Sequence, residues 1–212
     1  MLGTYLNGAT AVADYVEFIG STTNRVVDST NVVSKPSNIV SGDLLIAVGI
    51  INSGGNISTY PSGFTQRLFS FGQPVIDIAT KIATGSEPTS YNFTLSSSLQ
   101  SNIALLAYRK AVDSSRLIGA VQRSSSVSSI TAPSISPTLK GALLAIFCGA
   151  NDFGVSSPPS GMTLRAQLSN NNPSIAVYDL IPSNPGNTGG KTLSMSPAAT
   201  PSAALLMQIF QE

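Results

Sequence analysis

The stretch PSGFTQRLF, residues 61–69, is written a second time as PSGMTLRAQ, residues 159–167. Both copies open with Pro-Ser-Gly, the chemistry of a tight turn in which Gly takes a positive φ. Both continue into a short strand. Working outward, the correspondence holds along the chain. Ile19-Gly20 falls on Ile118-Gly119, and Gly42-Asp-Leu-Leu on Gly141-Ala-Leu-Leu. QPVIDIATKI from Gln73 falls on NPSIAVYDLI from Asn172, and YNFTLS from Tyr91 on KTLSMS from Lys191. Ala-Leu-Leu at Ala104 returns at Ala204. The matches keep their order, and the spacing drifts only between 98 and 100 positions. Such a unit is too long for a solenoid repeat of about 20–50 residues. It reads as an internal duplication.

The duplicated segments are strands. In VIDIATKI, Ile76, Ile78, Thr80 and Ile82 alternate with Val75, Asp77, Ala79 and Lys81. This period of two marks a half-buried strand, with Asp77 on the face expected to meet solvent. Tyr91, Phe93 and Leu95 point inward together, as do Leu193 and Met195 in the second copy. GDLLIAVGII and NIALLAYRKA are continuous apolar runs, expected in strands covered on both faces or held against another chain. Helical periodicity is scarce. The expected fold is therefore all-β: an antiparallel, jelly-roll-like β-sandwich of about 12–14 strands with an internal pseudo-twofold repeat. The join AYRKAVDSSRLIGAVQ has no Pro and one Gly, a poor linker. We therefore expect one domain, residues 15–212, built from halves 15–115 and 116–212. Residues 1–14 have no counterpart in the second half and form an N-terminal arm, in which Tyr5, Leu6 and Val12, with Tyr15 at its base, offer apolar contacts to a partner.

Composition narrows the function. Charged residues make up 10% of the chain and the formal net charge is +1. A nucleic-acid binder carries a basic stripe with interleaved aromatics, and none is written here. The longest apolar runs, near eight residues, fall far short of the roughly 20 needed for a membrane helix, and the N-terminus lacks a signal-peptide pattern. Neither nucleic acid nor membrane is expected as a partner, and synthesis in the cytoplasm is. The single cysteine, Cys148, forms no intrachain disulfide and is expected to be a buried hydrophobe.

The absence of histidine excludes the Ser-His-Asp triad and the His-paired cysteine. The ten carboxylates show no close strand pairing of the kind glycoside hydrolysis needs. GANDFG from Gly149 and SNNNP from Ser169 are the nearest approach to a calcium loop, and their Asn residues suit turns better. Gly189-Gly190-Lys191-Thr192 lacks the upstream glycine and following helix of a phosphate loop. Asn56 and Asn92 open glycosylation sequons without a secretory signal. No enzyme, cofactor or metal is expected.

Four phrases carry a resemblance: Gly42 to Leu45, Pro61 to Thr65, Ser86 to Thr94 and Ala107 to Arg109. Together they resemble a family of β-sandwich proteins common in tailed bacteriophages and prophages. The resemblance covers residues 40–115 well and the second half loosely. Phe64 stands where Trp is common in that family. The phrases are structural, so the resemblance implies a virion component and no active site. It implies a homotrimeric capsid decoration (cement) protein on the outer capsid surface. Such a protein binds the major capsid protein, with the arm as its clasp. The other expectation is a receptor- or glycan-binding module of a tail or fibre.

Overall fold

The computed structural model describes residues 15–52, 54–113, 117–169, 172–199 and 201–212. Among them there are fifteen strands and no helix. The first six are β1 (Glu17–Ser34), β2 (Leu44–Ile51), β3 (Ile57–Thr59), β4 (Thr65–Ser70), β5 (Val75–Ile82) and β6 (Ser90–Arg109). There follow β7 (Leu117–Ile118), β8 (Gln122–Ser124), β9 (Val127–Ala132), β10 (Gly141–Gly149) and β11 (Val155–Ser157). The last are β12 (Thr163–Leu168), β13 (Ser174–Ser183), β14 (Lys191–Ala199) and β15 (Ser202–Phe210).

The pairings form several sheets, and every named pairing is antiparallel. One six-stranded sheet runs β1-β6-β2-β5-β4, with β3 attached to β6. A second runs β12-β13-β10-β15-β7, with β8 attached to β15. Strands β11, β14 and β9 form a third, smaller sheet.

Alternation along the strands sorts the core into three clusters. Leu44, Ile46, Val48 and Ile50 of β2 face Ala142, Leu144, Ile146 and Cys148 of β10 in a central cluster between the two large sheets. The intervening Leu45, Ala47 and Ile51 join Val33, Tyr91 and Phe93 on the far side of the first sheet. Leu143, Ala145 and Phe147 do the same with Ile130, Leu193 and Met195 behind the second. The continuous apolar runs are thus covered on both faces within this chain. Each fully buried Leu or Ile contributes roughly 1.5–3 kcal/mol relative to exposure.

The outer layer of the first sheet comes from its own long strands. β1 and β6, with 18 and 20 residues, are too long for one layer built on eight-residue strands. Their pairing is interrupted between Asp28/Leu99 and Thr30/Thr94. Beyond that break they fold over, so that Val33 and Tyr91 cover Leu45 and Leu105. In the second sheet separate strands, β9 and β14, do this work.

The repeated turn has the same geometry in both places. The Phe64 N–H donates to Pro61 O at 3.1 Å with Gly63 at φ 85°. The Met162 N–H donates to Pro159 O at 3.3 Å with Gly161 at φ 74°. A positive φ at the third turn position is what Gly permits at no steric cost.

One sequence expectation is corrected here. Asp77 does not meet solvent: it is 1% exposed. Its face of β5 lies under the outer layer, where Tyr60 packs against the same cluster. Both faces of β5 are buried through Thr80, so alternation there separates two interiors rather than inside from outside.

Polar contacts tie the two large sheets at both lateral seams. At one, Ser21 Oγ donates to Arg165 O at 2.6 Å and Arg25 Nε to Asn172 O at 2.9 Å. At the other, Arg123 donates to Pro74 O at 2.7 Å and to Ser70 O at 2.9 Å. Sheet edges that would otherwise offer unpaired backbone are thereby partly covered.

Candidate interaction surface

The start of β1 and the end of β13 come together at one seam, and a groove of about 540 Å³ opens between them. Tyr15, Phe18, Ile181 and Pro182 give it apolar walls, and Glu17, Lys110 and Arg165 supply charge. Register explains the convergence. β1 pairs with the end of β6 as Glu17↔Arg109 and Phe18↔Tyr108, so Phe18 rests edge-on against Tyr108 with ring centroids 5.5 Å apart. β12 brings Arg165 from the other large sheet, and its guanidinium sits 4.5 Å over the Phe18 ring, a cation–π contact.

A buried carboxylate holds that guanidinium. Arg165 Nε donates to Asp179 Oδ1 at 2.8 Å, and Tyr108 Oη donates to Asp179 Oδ2 at 3.3 Å. Asp179 is 1% exposed. Burial raises its pKa above the ordinary carboxylate value, and the hydrogen bonds and charge of Arg165 oppose the shift without cancelling it. Burial likewise raises Tyr108, with the Asp179 charge adding to it. The arrangement orients a cation.

Of the residues expected to contact a partner, Tyr15 lies in this groove and is 40% exposed. Tyr5, Leu6 and Val12 lie outside the described residues. Sequence reasoning missed Phe18, Lys110, Arg165 and Asp179. A signal was present: Asp179 interrupts the apolar alternation of IAVYDLI, and a buried acid requires hydrogen-bond donors nearby, a cation among the best of them.

The remaining charged clusters brace the fold. Asp43 accepts from Arg109 Nε at 2.9 Å and Nη2 at 3.0 Å, and also from the Val40 N–H at 2.8 Å. Arg67 donates to Thr80 Oγ1 at 2.8 Å and to Asp113 at 2.7 Å. Glu87 accepts from Lys81 Nζ, the Thr84 N–H and Tyr91 Oη, at 2.7–2.8 Å. Burial pushes the Glu87 carboxyl upward, but these donors together outweigh it and bring it to about 2.

Asp77 differs from these, because its hydrogen-bond partners are neutral. Tyr60 Oη lies 2.8 and 2.7 Å from its two oxygens, and Gln66 Nε2 donates at 3.1 Å. Burial raises it to about 6 against those bonds. Cys148 is buried and free, and burial pushes its thiol up to about 12. Among the described residues no group of three or more His, Cys, Asp or Glu is placed to hold a metal ion, and no helix is long and apolar enough to cross a membrane. No family model, no curated protein and no solved structure matches this chain.

Proposed function

We propose that this chain is a virion structural protein, built to bind other proteins rather than to turn over a substrate. Its most specific form is a homotrimeric decoration protein on the outer surface of a phage capsid, contacting the major capsid protein. The observation that carries this reading is the way the four family-like phrases fit one another. Asp43 of the first phrase holds Arg109 of the last. Phe64 of the second packs edge-on against Tyr91 and Phe93 of the third, at 5.4 and 5.5 Å. The phrases that resemble phage β-sandwich proteins are therefore mutual contacts of one scaffold, the relation expected of a shared architecture.

The internal repeat and the jelly-roll-like sandwich belong to the same proposal. Support for the repeat comes from strand order: β1-β6-β2-β5-β4 and β7-β15-β10-β13-β12 list corresponding strands in the same sequence. It comes also from reciprocal contacts. Arg25 of the first half reaches the Asn172 carbonyl just before β13, and Arg123 of the second reaches the Pro74 carbonyl just before β5. Such exchange is the mark of a twofold relation between like surfaces. A rigid, low-charge body of this kind would act by burying surface across capsid subunit joints, with Tyr15 and residues 1–14 as its clasp.

The second reading, a tail or fibre module that binds a receptor or glycan, is favoured by Phe71. That ring is 71% exposed beside Gly54 in the loop after β2. Copy number separates the two. Quantitative gel densitometry of purified particles is expected to give hundreds of copies per particle for a decoration protein. A few dozen or fewer would overturn that form and support the tail reading. Absence from particles would overturn both.

A further inference from the structure

The groove at Tyr15 holds a cation whose donors are only partly used. Arg165 has its Nε committed to Asp179 and its plane laid on Phe18. Its two terminal nitrogens donate to no described residue, although the side chain is only 25% exposed. Its backbone is fixed as well, since Arg165 O accepts from Ser21 Oγ at 2.6 Å. A guanidinium held in this way is pre-organised for a planar, two-oxygen acceptor, because little side-chain freedom remains to be lost on binding. Lys110 adds a second cation to the lining, and Glu17 an anion. Glu17 stands opposite Arg109 in the β1–β6 register and interacts with its charge. The negative charge of Asp179 is buried behind Arg165 and engaged by it. Beside these charges stand the half-exposed Tyr15 ring and the apolar Ile181 and Pro182. The volume, about 540 Å³, is that of a site for a few side chains.

We propose that this groove docks an acidic–apolar segment of a partner protein, its carboxylate on the terminal nitrogens of Arg165 and its apolar neighbour against Tyr15, Ile181 and Pro182. The proposal rests on the protein-binding reading above only for who the partner is; the chemistry of the groove stands without it. Neutral polar segments lose the paired hydrogen bonds.

The test uses the full chain and two capped peptides, acetyl-Leu-Asp-Leu-amide and acetyl-Leu-Asn-Leu-amide, titrated while ¹⁵N-resolved amide shifts are followed. The acidic peptide is expected to move the Tyr15, Phe18 and Ile181 amides saturably and to bind at least tenfold tighter than its amide counterpart. Arg165→Lys keeps a cation for Asp179 but removes the fork. It should weaken the acidic peptide about fivefold or more and leave the neutral one unchanged. Should that variant lose its folded spectrum, the comparison of the two peptides on the native chain decides. Equal affinities, shifts that do not saturate, or undiminished binding by a folded Arg165→Lys variant would overturn the proposal. Groove binding by a protein that is absent from particles would remove the virion reading and keep the groove. Abundant particle loading without peptide binding would do the reverse.

Discussion

Replacing Leu205 by Ala tests whether the two halves of the chain stand or fall together. Leu205 is fully buried in the central cluster, between the two large sheets, and lies opposite Ile146 in the β10–β15 register. Removing the side chain beyond its Cβ leaves a cavity that packed neighbours on both sheets fill only in part. For such sites the cost is about 3–5 kcal/mol. In a chain of 212 residues each kcal/mol lowers Tm by roughly 2–4 °C, so a drop of about 6–20 °C is expected. The decisive measurement is residue-resolved hydrogen exchange with a denaturant melt. Because the central cluster draws equally on β2 and β10, amides in both strands should lose protection by the same free energy, and the melt should remain one transition with unchanged m. Loss of protection confined to β10, β13 and β15, with β2 and β5 as stable as before, would refute the idea of a shared core.

Further outcomes are expected of single residues. Asp77 has a folded-state value near 6, above its ordinary 3.8, so the stability it adds is full below 3.8 and is lost as pH rises through about 6. The shift corresponds to about 3 kcal/mol; urea melts from pH 4 to 8 should show that decline, and Asp77→Asn should flatten it, whereas an equal slope in the variant would contradict the assignment. Glu87 works in the opposite sense, its contribution being present above 4.5 and lost only as pH falls through about 2. Gly141→Ala would set its Cβ 1.9 Å from Ile209 O, so thermal melts should report a loss of about 1–3 kcal/mol or more. By contrast, Gly85→Ala, with nothing within 4 Å, should stay within about 0.5 kcal/mol. Cys148 should react with a disulfide reagent only at the rate of unfolding, and rapid labelling of the native chain would count against its burial.

The turns and the central strands were legible because their causes are local. Pro61-Ser-Gly and Pro159-Ser-Gly state the backbone angle they need, and Tyr91, Phe93 and Leu95 declare one face by their spacing. Asp77 was misread because alternation tells which residues share a face and says nothing of what covers it. The cover is Tyr60 and the folded-over ends of β1 and β6, which arrive from elsewhere in the chain. The same blindness hid the groove: Tyr15 was recognisable as an apolar side chain offered to a partner, but its neighbours Arg165 and Ile181 lie 150 or more positions away. Only the seam between the sheets brings them together.

The unbroken pairing of β1 with β6 ahead of the fold-over, from Gly20↔Ala107 to Asp28↔Leu99, has a mechanical consequence. A pull on β1 from the Tyr15 end, resisted at the opposite end of the sheets, loads a long ladder of hydrogen bonds in parallel, and they must rupture nearly at once. The same pull resisted at Phe210, whose carbonyl accepts from the Val112 N–H just beyond β6, would instead peel the ladder open one rung at a time. The ladder resists a pull along its strands more than one that opens it from its end.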